Sequence, residues 1–243
     1  MRGIMVRMRE GVNGGADRVC FLAMNTRTGG HRRFAATWNW LTAHEGPKQR
    51  AARERVVSPL KGRVLEIGFG VGTNWAYLPE GVEYVGIEPD PYMIARARRH
   101  AAAVERSLEL HQARAEALPF EDASFDAVFT TLTFCTVQDV PAALREVQRV
   151  LKPGAEFHFW EHVRPRGRVL GPLSDLVTPV WRNVGGGCNP NRRTTVALRK
   201  AGFEFVSFQR VSAPPLPMVF GRAVVAAEAP AEVAPILESA PQG

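Results

Sequence analysis

The stretch that most constrains the fold is residues 64–72, VLEIGFGVG, where a short apolar run leads into three alternating glycines. The apolar run, with Glu66 inside it, predicts a short buried strand. Gly68, Gly70 and Gly72 predict a tight turn directly after the strand, because glycine tolerates positive φ and carries no Cβ. A ligand could lie against backbone in such a turn, at the carboxyl end of a parallel strand.

The glycine spacing differs from the dinucleotide-binding pattern G-x-G-x-x-G, which would need glycine where the chain has Thr73. Thr73 instead can cap a following helix. The acid Glu66 could face the ammonium group of an amino-acid ligand. Glu88 ends a second predicted strand, about 20 residues after the first glycine, where a ribose diol is usually held. S-adenosylmethionine carries both an ammonium group and a ribose, so the pattern favours it over NAD.

Strands and helices then alternate, which indicates βαβ units and a parallel sheet. Strands are predicted near 63–67, 83–87, 108–111, 125–130 and 155–160, and helices near 73–78, 91–104, 139–151 and 191–201. Two further strands, FEFVSFQRV and MVFGRAVVA, are joined by a short Pro-rich turn and must therefore be antiparallel. Residues 162–189 are rich in Pro, Gly and Arg, and we interpret them as an insertion over the strand ends.

The predicted organisation has four parts. Residues 1–24 lack sustained periodicity and are expected to be disordered. Residues 25–60 form two helices divided at Gly46-Pro47, which either pack on the domain or act as a lid over the cofactor and acceptor. Residues 61–226 form the cofactor-binding domain, and residues 227–243 form a flexible tail.

Charge and cysteine content limit the partners and the compartment. The net charge is +7, and residues 1–63 hold 13 Lys and Arg against 4 Asp and Glu. This basic N-terminal segment could contact an anionic membrane surface, although a solvated basic helix is the commoner case. The three cysteines, Cys20, Cys135 and Cys188, form no C-x-x-C pair, so no metal site is predicted. With no signal peptide or membrane span recognisable in the sequence, a cytoplasmic location is expected.

Four runs, RVLEIGFGVG, GIEPD, AEALPFEDASFDAVFTT and LREVQRVLKPGAEFHFWEH, resemble the class I S-adenosylmethionine-dependent methyltransferases of the type 11 subset. They span about residues 60–165. The resemblance implies a doubly wound, Rossmann-like α/β fold with a seven-stranded, mostly parallel sheet whose last strand is antiparallel. It assigns cofactor contacts as follows: Glu66, Gly68, Gly70 and Gly72 beneath the methionine moiety, Glu88 at the ribose hydroxyls, Ala115 and Glu116 beside the adenine, and Thr131 at the methionine end.

Further runs, TTLTFCTVQD, FWEHVRP and GGGCNPNRRT, resemble the branch that contains the alkyl thiol methyltransferases and their bacterial relatives. This similarity implies a small lipophilic acceptor, a thiol, a quinol or phenol, or an amine. Thiols and phenols must lose a proton before attack. His162 follows the fifth predicted strand, where the acceptor pocket should open, and is either the general base or a structural histidine. Cys135 is interpreted as a small hydrophobe, and Cys188 either lies near the acceptor or belongs to a glycine-rich turn.

Other functions remain as alternatives at this stage. An NAD-dependent oxidoreductase is disfavoured by Thr73 and by the lack of a recognisable catalytic Tyr-Lys or His pair. Methylation of a lipid head group or of nucleic acid, or a catalytically inactive cofactor-binding module, stays open. Nucleic acid is not expected as a partner, because the domain lacks an N-P-P-Y-type motif for a flipped base.

Overall fold

The computed structural model describes residues 19–23, 31–212 and 216–226. Its centre is one sheet of eight strands: β1 (Val19–Ala23), β2 (Arg63–Ile67), β3 (Glu83–Ile87), β4 (Leu108–Gln112), β5 (Phe125–Thr131), β6 (Leu151–His162), β7 (Phe203–Val211) and β8 (Met218–Val225). The strand order is β1-β4-β3-β2-β5-β6-β8-β7. β8 is antiparallel to both of its neighbours, and the other pairings are parallel. The last strand is therefore antiparallel, as predicted.

The predicted seven strands are all present, and the eighth is β1, at the sheet edge. Residues 19–23, VCFLA, lie in the segment expected to be disordered, yet they pair in parallel with β4 over its whole length. The prediction is wrong for these five residues, because a run containing Val, Cys and Phe suits an extended conformation once a strand edge is available. The rest of residues 1–24, and the predicted tail 227–243, lie outside the described residues.

Within the described residues, six α-helices and one 3₁₀ helix accompany the sheet: α1 (Arg32–Ala43), α2 (Pro47–Val57), the 3₁₀ helix (Thr73–Tyr77), α3 (Pro91–Ala101), α4 (Val140–Val150), α5 (Leu170–Val184) and α6 (Thr194–Lys200). Capping explains two of the boundaries: Asp90 accepts hydrogen bonds from the amides of Tyr92 and Met93, and Asp139 accepts one from Ala142. Thr73 does not cap as predicted. Gly72 occupies that position with φ 86°, and no side chain caps the helix.

Two apolar clusters hold the layers together, one on each face of the sheet. One joins α4 and α6 to the strands and includes Leu65, Val128, Leu144, Phe157 and Leu198. The other joins α2 and α3 to the opposite face and includes Val56, Val64, Tyr84, Ala97 and Phe129. Successive residues of a strand point to opposite faces, so the neighbours Val64 and Leu65 serve different clusters. This double coverage is what a mostly parallel sheet requires.

The segment 162–189 contains a helix, α5, that the sequence interpretation did not predict. Its inward residues are small or polar: Gly171, Ser174 and Thr178 are buried, and both hydroxyls donate to helix carbonyls one turn earlier. Its outward face is apolar, with Leu176 75% and Val180 71% exposed. This arrangement reverses the usual amphipathic helix. Among the described residues, no helix is long and apolar enough to cross a membrane.

Candidate active site

The candidate site lies at the carboxyl edge of the four central strands. β2, β3, β5 and β6 end there within one continuous part of the sheet, in the order β3-β2-β5-β6. The segments that follow these strands therefore meet at one edge. They carry the glycine loop, Glu88, Thr131 and His162, so the topology brings together the residues that sequence motifs had placed far apart.

The glycine loop needs its glycines for two different reasons. All three adopt positive φ, of 76° at Gly68, 57° at Gly70 and 86° at Gly72. A Cβ at Gly68 would lie 2.4 Å from the Thr133 side chain, and one at Gly72 would lie 2.4 Å from the Trp75 ring. A Cβ at Gly70 would instead meet only Trp38 Nε1, at a van der Waals distance of 3.8 Å, without a clash. Gly68 and Gly72 thus allow the Thr133 and Trp75 side chains to pack closely on the loop. Gly70 leaves a space over the loop, which we call the glycine cradle.

Glu88 faces this cradle from the end of β3. One of its oxygens accepts from the Gly70 amide at 3.0 Å and the other from the Asp90 amide at 2.9 Å. Burial raises the pKa of Glu88 to about 7, although the two amide hydrogen bonds lower it. A carboxylate oxygen can accept more than one hydrogen bond, so Glu88 retains capacity for two ribose hydroxyls.

Glu66 lies deeper than expected. It is fully buried, and its two oxygens accept from Asn74 Nδ2 at 2.6 Å and from the Tyr84 hydroxyl at 2.5 Å. Burial raises its pKa to about 6 against the opposing effect of these hydrogen bonds. The structure therefore shows Glu66 holding the floor of the loop. Direct contact with a cofactor ammonium group stays a prediction.

A buried arginine that the sequence interpretation missed completes this floor. Arg53 of α2 is 3% exposed, and its Nη1 donates to Asn74 at 2.9 Å and to the Thr131 hydroxyl at 3.1 Å. Its other nitrogens bind Glu45, and its guanidinium lies 5.4 Å from the centre of the Trp160 ring. Breaking such a network by removing one partner would leave a buried charge unpaired. The local sequence, KQRAARERVV, gives no sign of which arginine is buried.

Thr131 is in place at the end of β5, with its hydroxyl accepting from Asn74 at 2.8 Å. The next residue, Leu132, has a φ of 59°, which is unfavourable for a non-glycine residue. Its amide donates to the Trp160 carbonyl at 2.7 Å, so the strained turn is fixed by β6. Strain of this kind clusters at functional sites, and here it brings Thr133 against the glycine loop.

The two residues assigned to the adenine pocket differ in surroundings. Ala115 is buried, 6% exposed. Glu116 supports the local structure, because its Oε1 accepts from the amides of Gln138 and Asp139, at 2.9 and 3.1 Å. It thereby ties its loop to the start of α4. Its contact with adenine stays a prediction.

His162 ends β6 beside two cysteines, Cys135 and Cys188, that sequence reasoning had not connected with it. Its Nε2 lies 3.2 Å from Cys188 Sγ, and its Nδ1 is buried with no hydrogen-bond partner among the described residues. Hydrogen bonds from Cys135 and His162 lower the pKa of Cys188 to about 5, against the effect of burial. The pKa of Cys135 is raised well above its usual value by the contact with Cys188 and by burial. Cys135 and His162 are 27 residues apart in the sequence, and His162 and Cys188 are 26 apart. At such distances no short sequence motif links the three residues.

The helix α1 covers the glycine loop from outside the sheet. Phe34 and Trp38 stack with ring centroids 5.8 Å apart and pack against Ala35, Val71 and Met93. A Cβ at Gly186, in the turn after α5, would lie 2.3 Å from the Phe34 ring. The helix α1 and the segment after α5 therefore meet over the strand ends, where a lid for the cofactor and acceptor was expected.

Comparison with known proteins identifies this architecture. A methyltransferase domain model matches residues 65–159. The thiol S-methyltransferase TMT1B of Rattus norvegicus is 31% identical over 203 residues, covering 76% of this chain and 82% of that protein. The demethylmenaquinone methyltransferase of Deinococcus radiodurans is 34% identical over 131 residues, covering 53% of this chain and 54% of that protein. A solved S-adenosylmethionine-dependent methyltransferase from Thermotoga maritima superimposes with a TM-score of 0.58 at 25% identity, covering 79% of this chain and 96% of that one.

These matches agree with the geometry of the site. The glycine cradle has room above Gly70, and a carboxylate with unused acceptor capacity stands beside it, so the residues present fit S-adenosylmethionine. The protein is an enzyme that transfers a methyl group from S-adenosylmethionine to a small acceptor. The chain belongs to the class I S-adenosylmethionine-dependent methyltransferases, in the family that includes the thiol S-methyltransferases.

Proposed function

We propose that the acceptor is a small lipophilic thiol. The observation that carries this proposal is the extent of the match to thiol S-methyltransferase TMT1B, whose 203 aligned residues reach well beyond the 95 residues of the methyltransferase domain model. The similarity therefore extends beyond the domain model, which supports an acceptor of the same class. The sulfur and imidazole groups at the end of β6 supply a polar wall suited to a thiol.

On the cofactor side of the site, the protein contributes by positioning the cofactor. S-adenosylmethionine supplies a methyl group on a positively charged sulfur, and the acceptor displaces that sulfur from the methyl carbon in line. We assign to Glu88 the ribose hydroxyls and to the glycine loop the backbone surface beneath the methionine moiety. The buried network of Arg53, Asn74 and Glu66 keeps that loop rigid. Rigid alignment of donor and acceptor is the main contribution such a site can make to the rate.

The acceptor side must ionise a thiol. A thiol with a pKa near 8.5 is roughly 3% thiolate at pH 7, and a dry pocket lowers that fraction. His162 was predicted as the base, and in this structure its Nε2 faces Cys188 rather than open space. We therefore assign activation of the acceptor thiol to the cluster of Cys135, His162 and Cys188 as a unit, and not to His162 as a lone base.

The entry route for a lipophilic acceptor is proposed to be the apolar face of α5, resting on an anionic membrane surface. Five of its exposed residues, Leu173, Leu176, Val177, Val180 and Val184, follow helical spacing and form one stripe. Stripes of this kind mark interaction sites, and Arg168 and Arg182 at its ends suit anionic head groups. This surface lies outside the basic N-terminal segment that the sequence had suggested. A cytoplasmic location stays a prediction.

Acceptor class is tested by incubating the enzyme with methyl-labelled S-adenosylmethionine and a panel of alkyl thiols, phenols, quinols, amines and phosphoethanolamine. Label should appear in thioether products, increasing with the chain length of the alkyl thiol. Labelled amines or phosphoethanolamine, with no labelled thioether, would contradict the thiol proposal. This outcome would leave the methyltransferase assignment intact.

A further inference from the structure

The cluster of Cys135, His162 and Cys188 has the composition of a metal site. One ligand atom from each residue, two sulfurs and an imidazole nitrogen, lies within 4.8 Å of the other two. In a tetrahedral zinc site with Zn–S of about 2.3 Å and Zn–N of about 2.0–2.1 Å, neighbouring ligand atoms are roughly 3.5–3.8 Å apart. In the structure His162 Nε2 lies 3.2 Å from Cys188 Sγ, and no two of the three ligand atoms are more than 4.8 Å apart. The observed distances therefore bracket the range expected for zinc. Side-chain movements of about an ångström would complete the geometry.

The contacts of His162 identify the nitrogen that an ion would use. His162 is 9% exposed, its Nε2 lies 3.2 Å from Cys188 Sγ, and its Nδ1 has no partner among the described residues. Nε2 is therefore the nitrogen placed beside the sulfurs. The adjacent Glu161 makes no hydrogen bond to Nδ1, and its two oxygens accept from the amides of Thr133 and Phe134.

The backbone holds the two cysteines in fixed relation. Asn189, next to Cys188, donates to the Cys135 carbonyl from its amide at 2.9 Å and from its side chain at 2.8 Å. Arg192 lies close enough to act electrostatically on both thiols, and its Nη2 donates to the Val137 carbonyl at 2.6 Å. The segment after α5 is thus attached to the loop after β5, which brings the two sulfurs together before any ion binds.

We propose that Cys135, His162 and Cys188 bind one zinc ion and leave its fourth position to the acceptor thiol. Two thiolates and an imidazole are a ligand set that zinc prefers. Catalytic zinc sites have three protein ligands and an open position, and within residues 31–212 and 216–226 the cluster has no fourth Cys, His, Asp or Glu. The side chain of Cys188 is partly exposed, which gives this open position a way in.

The role of the metal rests on the proposed function, whereas its binding does not. On binding, the acceptor thiol gives up its proton to solvent, because a coordinated thiol is deprotonated outright. The thiolate sulfur then forms a bond to the methyl carbon while the bond from that carbon to the sulfonium sulfur breaks. The products are a neutral thioether and S-adenosylhomocysteine. A neutral thioether is a weaker zinc ligand than a thiolate, so it leaves.

Metal content of the purified full-length protein tests the site without reference to activity. Elemental analysis should find about one zinc per chain, and His162→Ala and Cys188→Ser should each reduce this to background. Cys20→Ser is the matched control: Cys20 lies on the edge strand β1, five strands away from β6 in the sheet, and should keep the metal. Circular dichroism establishes that each variant is folded. Metal-free wild type with reduced thiols, or with a Cys135–Cys188 disulfide in mass spectrometry, overturns the proposal.

Cobalt tests the open position. Cobalt-substituted protein should show the visible absorption of a tetrahedral thiolate site, and an alkyl thiol added without S-adenosylmethionine should change that spectrum at a saturating concentration. An unchanged spectrum would refute acceptor coordination. If metal binds and no thiol is methylated, the proposed function fails while the metal site stands. If thiols are methylated at an unchanged rate by the metal-free His162→Ala protein, the proposed role of the metal in activating the acceptor fails, while the metal site and the function stand.

Discussion

Glu88 couples cofactor binding to pH. In the free protein, burial holds the pKa of this carboxyl at about 7. Ribose hydroxyls donate hydrogen bonds, so they bind the ionised carboxylate more strongly than the protonated acid. Binding should therefore release a proton, and the affinity for S-adenosylmethionine should rise as pH increases through 7.

The size of the effect follows from the ionised fraction. With a pKa of about 7, roughly one tenth of Glu88 is ionised at pH 6 and roughly nine tenths at pH 8. If the bound state needs the carboxylate, affinity should increase about tenfold across this range, or about 1.4 kcal/mol. Proton release should be about half a proton per site at pH 7 and smaller at pH 8.

Titration calorimetry in two buffers with different ionisation enthalpies measures both quantities. The cofactor's own amino group also titrates near pH 8, so methylthioadenosine, which keeps the ribose and lacks the amino acid end, serves as a second ligand. Glu88→Gln should bind each ligand roughly tenfold more weakly at pH 8 and abolish the dependence. A pH-independent affinity for methylthioadenosine, with no proton release, would refute the assignment of Glu88 to the ribose.

Three further results are expected. Trp38→Ala should weaken S-adenosylmethionine binding several-fold in calorimetry at a temperature where the variant is folded, because the half-buried Trp38 ring borders the space above Gly70. Loss of its packing on Phe34 should also lower the melting temperature, and an unchanged affinity of the folded variant would indicate a purely structural role. Burial raises the pKa of Glu66 from 4.5 to about 6, so its stabilising contribution is present below pH 4.5 and about 2 kcal/mol is lost in total as pH rises through 6. Between pH 5 and pH 7.5 this loss is roughly 1.2 kcal/mol, so in urea unfolding wild type should lose about this much more stability than Glu66→Gln over the interval, and an equal loss in the two proteins would contradict the raised pKa. The double change Leu176→Glu and Val180→Glu should abolish sedimentation of the protein with anionic phospholipid vesicles. The control is Val196→Glu, which changes an exposed valine on α6 and should have no effect. If the double variant still sediments with the vesicles, α5 is not the membrane contact.

The cofactor half of the site could be predicted because its residues are close in sequence to the strands that position them. Gly68, Gly70 and Gly72 directly follow β2, and Glu88 directly follows β3. Once two parallel strands are recognised, their carboxyl ends must share an edge. The local pattern therefore fixes both the identity and the neighbourhood of these residues.

The supporting network and the sulfur cluster could not be predicted for the opposite reason. Arg53 reaches Asn74 and Thr131 across 21 and 78 positions of sequence. Cys135, His162 and Cys188 come from three separate segments, and the contact depends on how the turn after α5 docks on the loop after β5. Pairing of β1 with β4 similarly joins residues about 90 positions apart. Contacts of this kind are properties of the packed fold.

The helix α5 shows a different limit of sequence interpretation. Its apolar residues follow helical spacing, which ordinarily indicates the face that packs on the protein. In this protein the inward positions are taken by Gly171, Ser174 and Thr178, whose small side chains are buried. Periodicity identifies the apolar face of a helix, but it does not identify what that face contacts. Because the apolar residues of α5 are exposed in the structure, we propose that a lipid surface covers them and that the same surface delivers a lipophilic acceptor to the adjoining site.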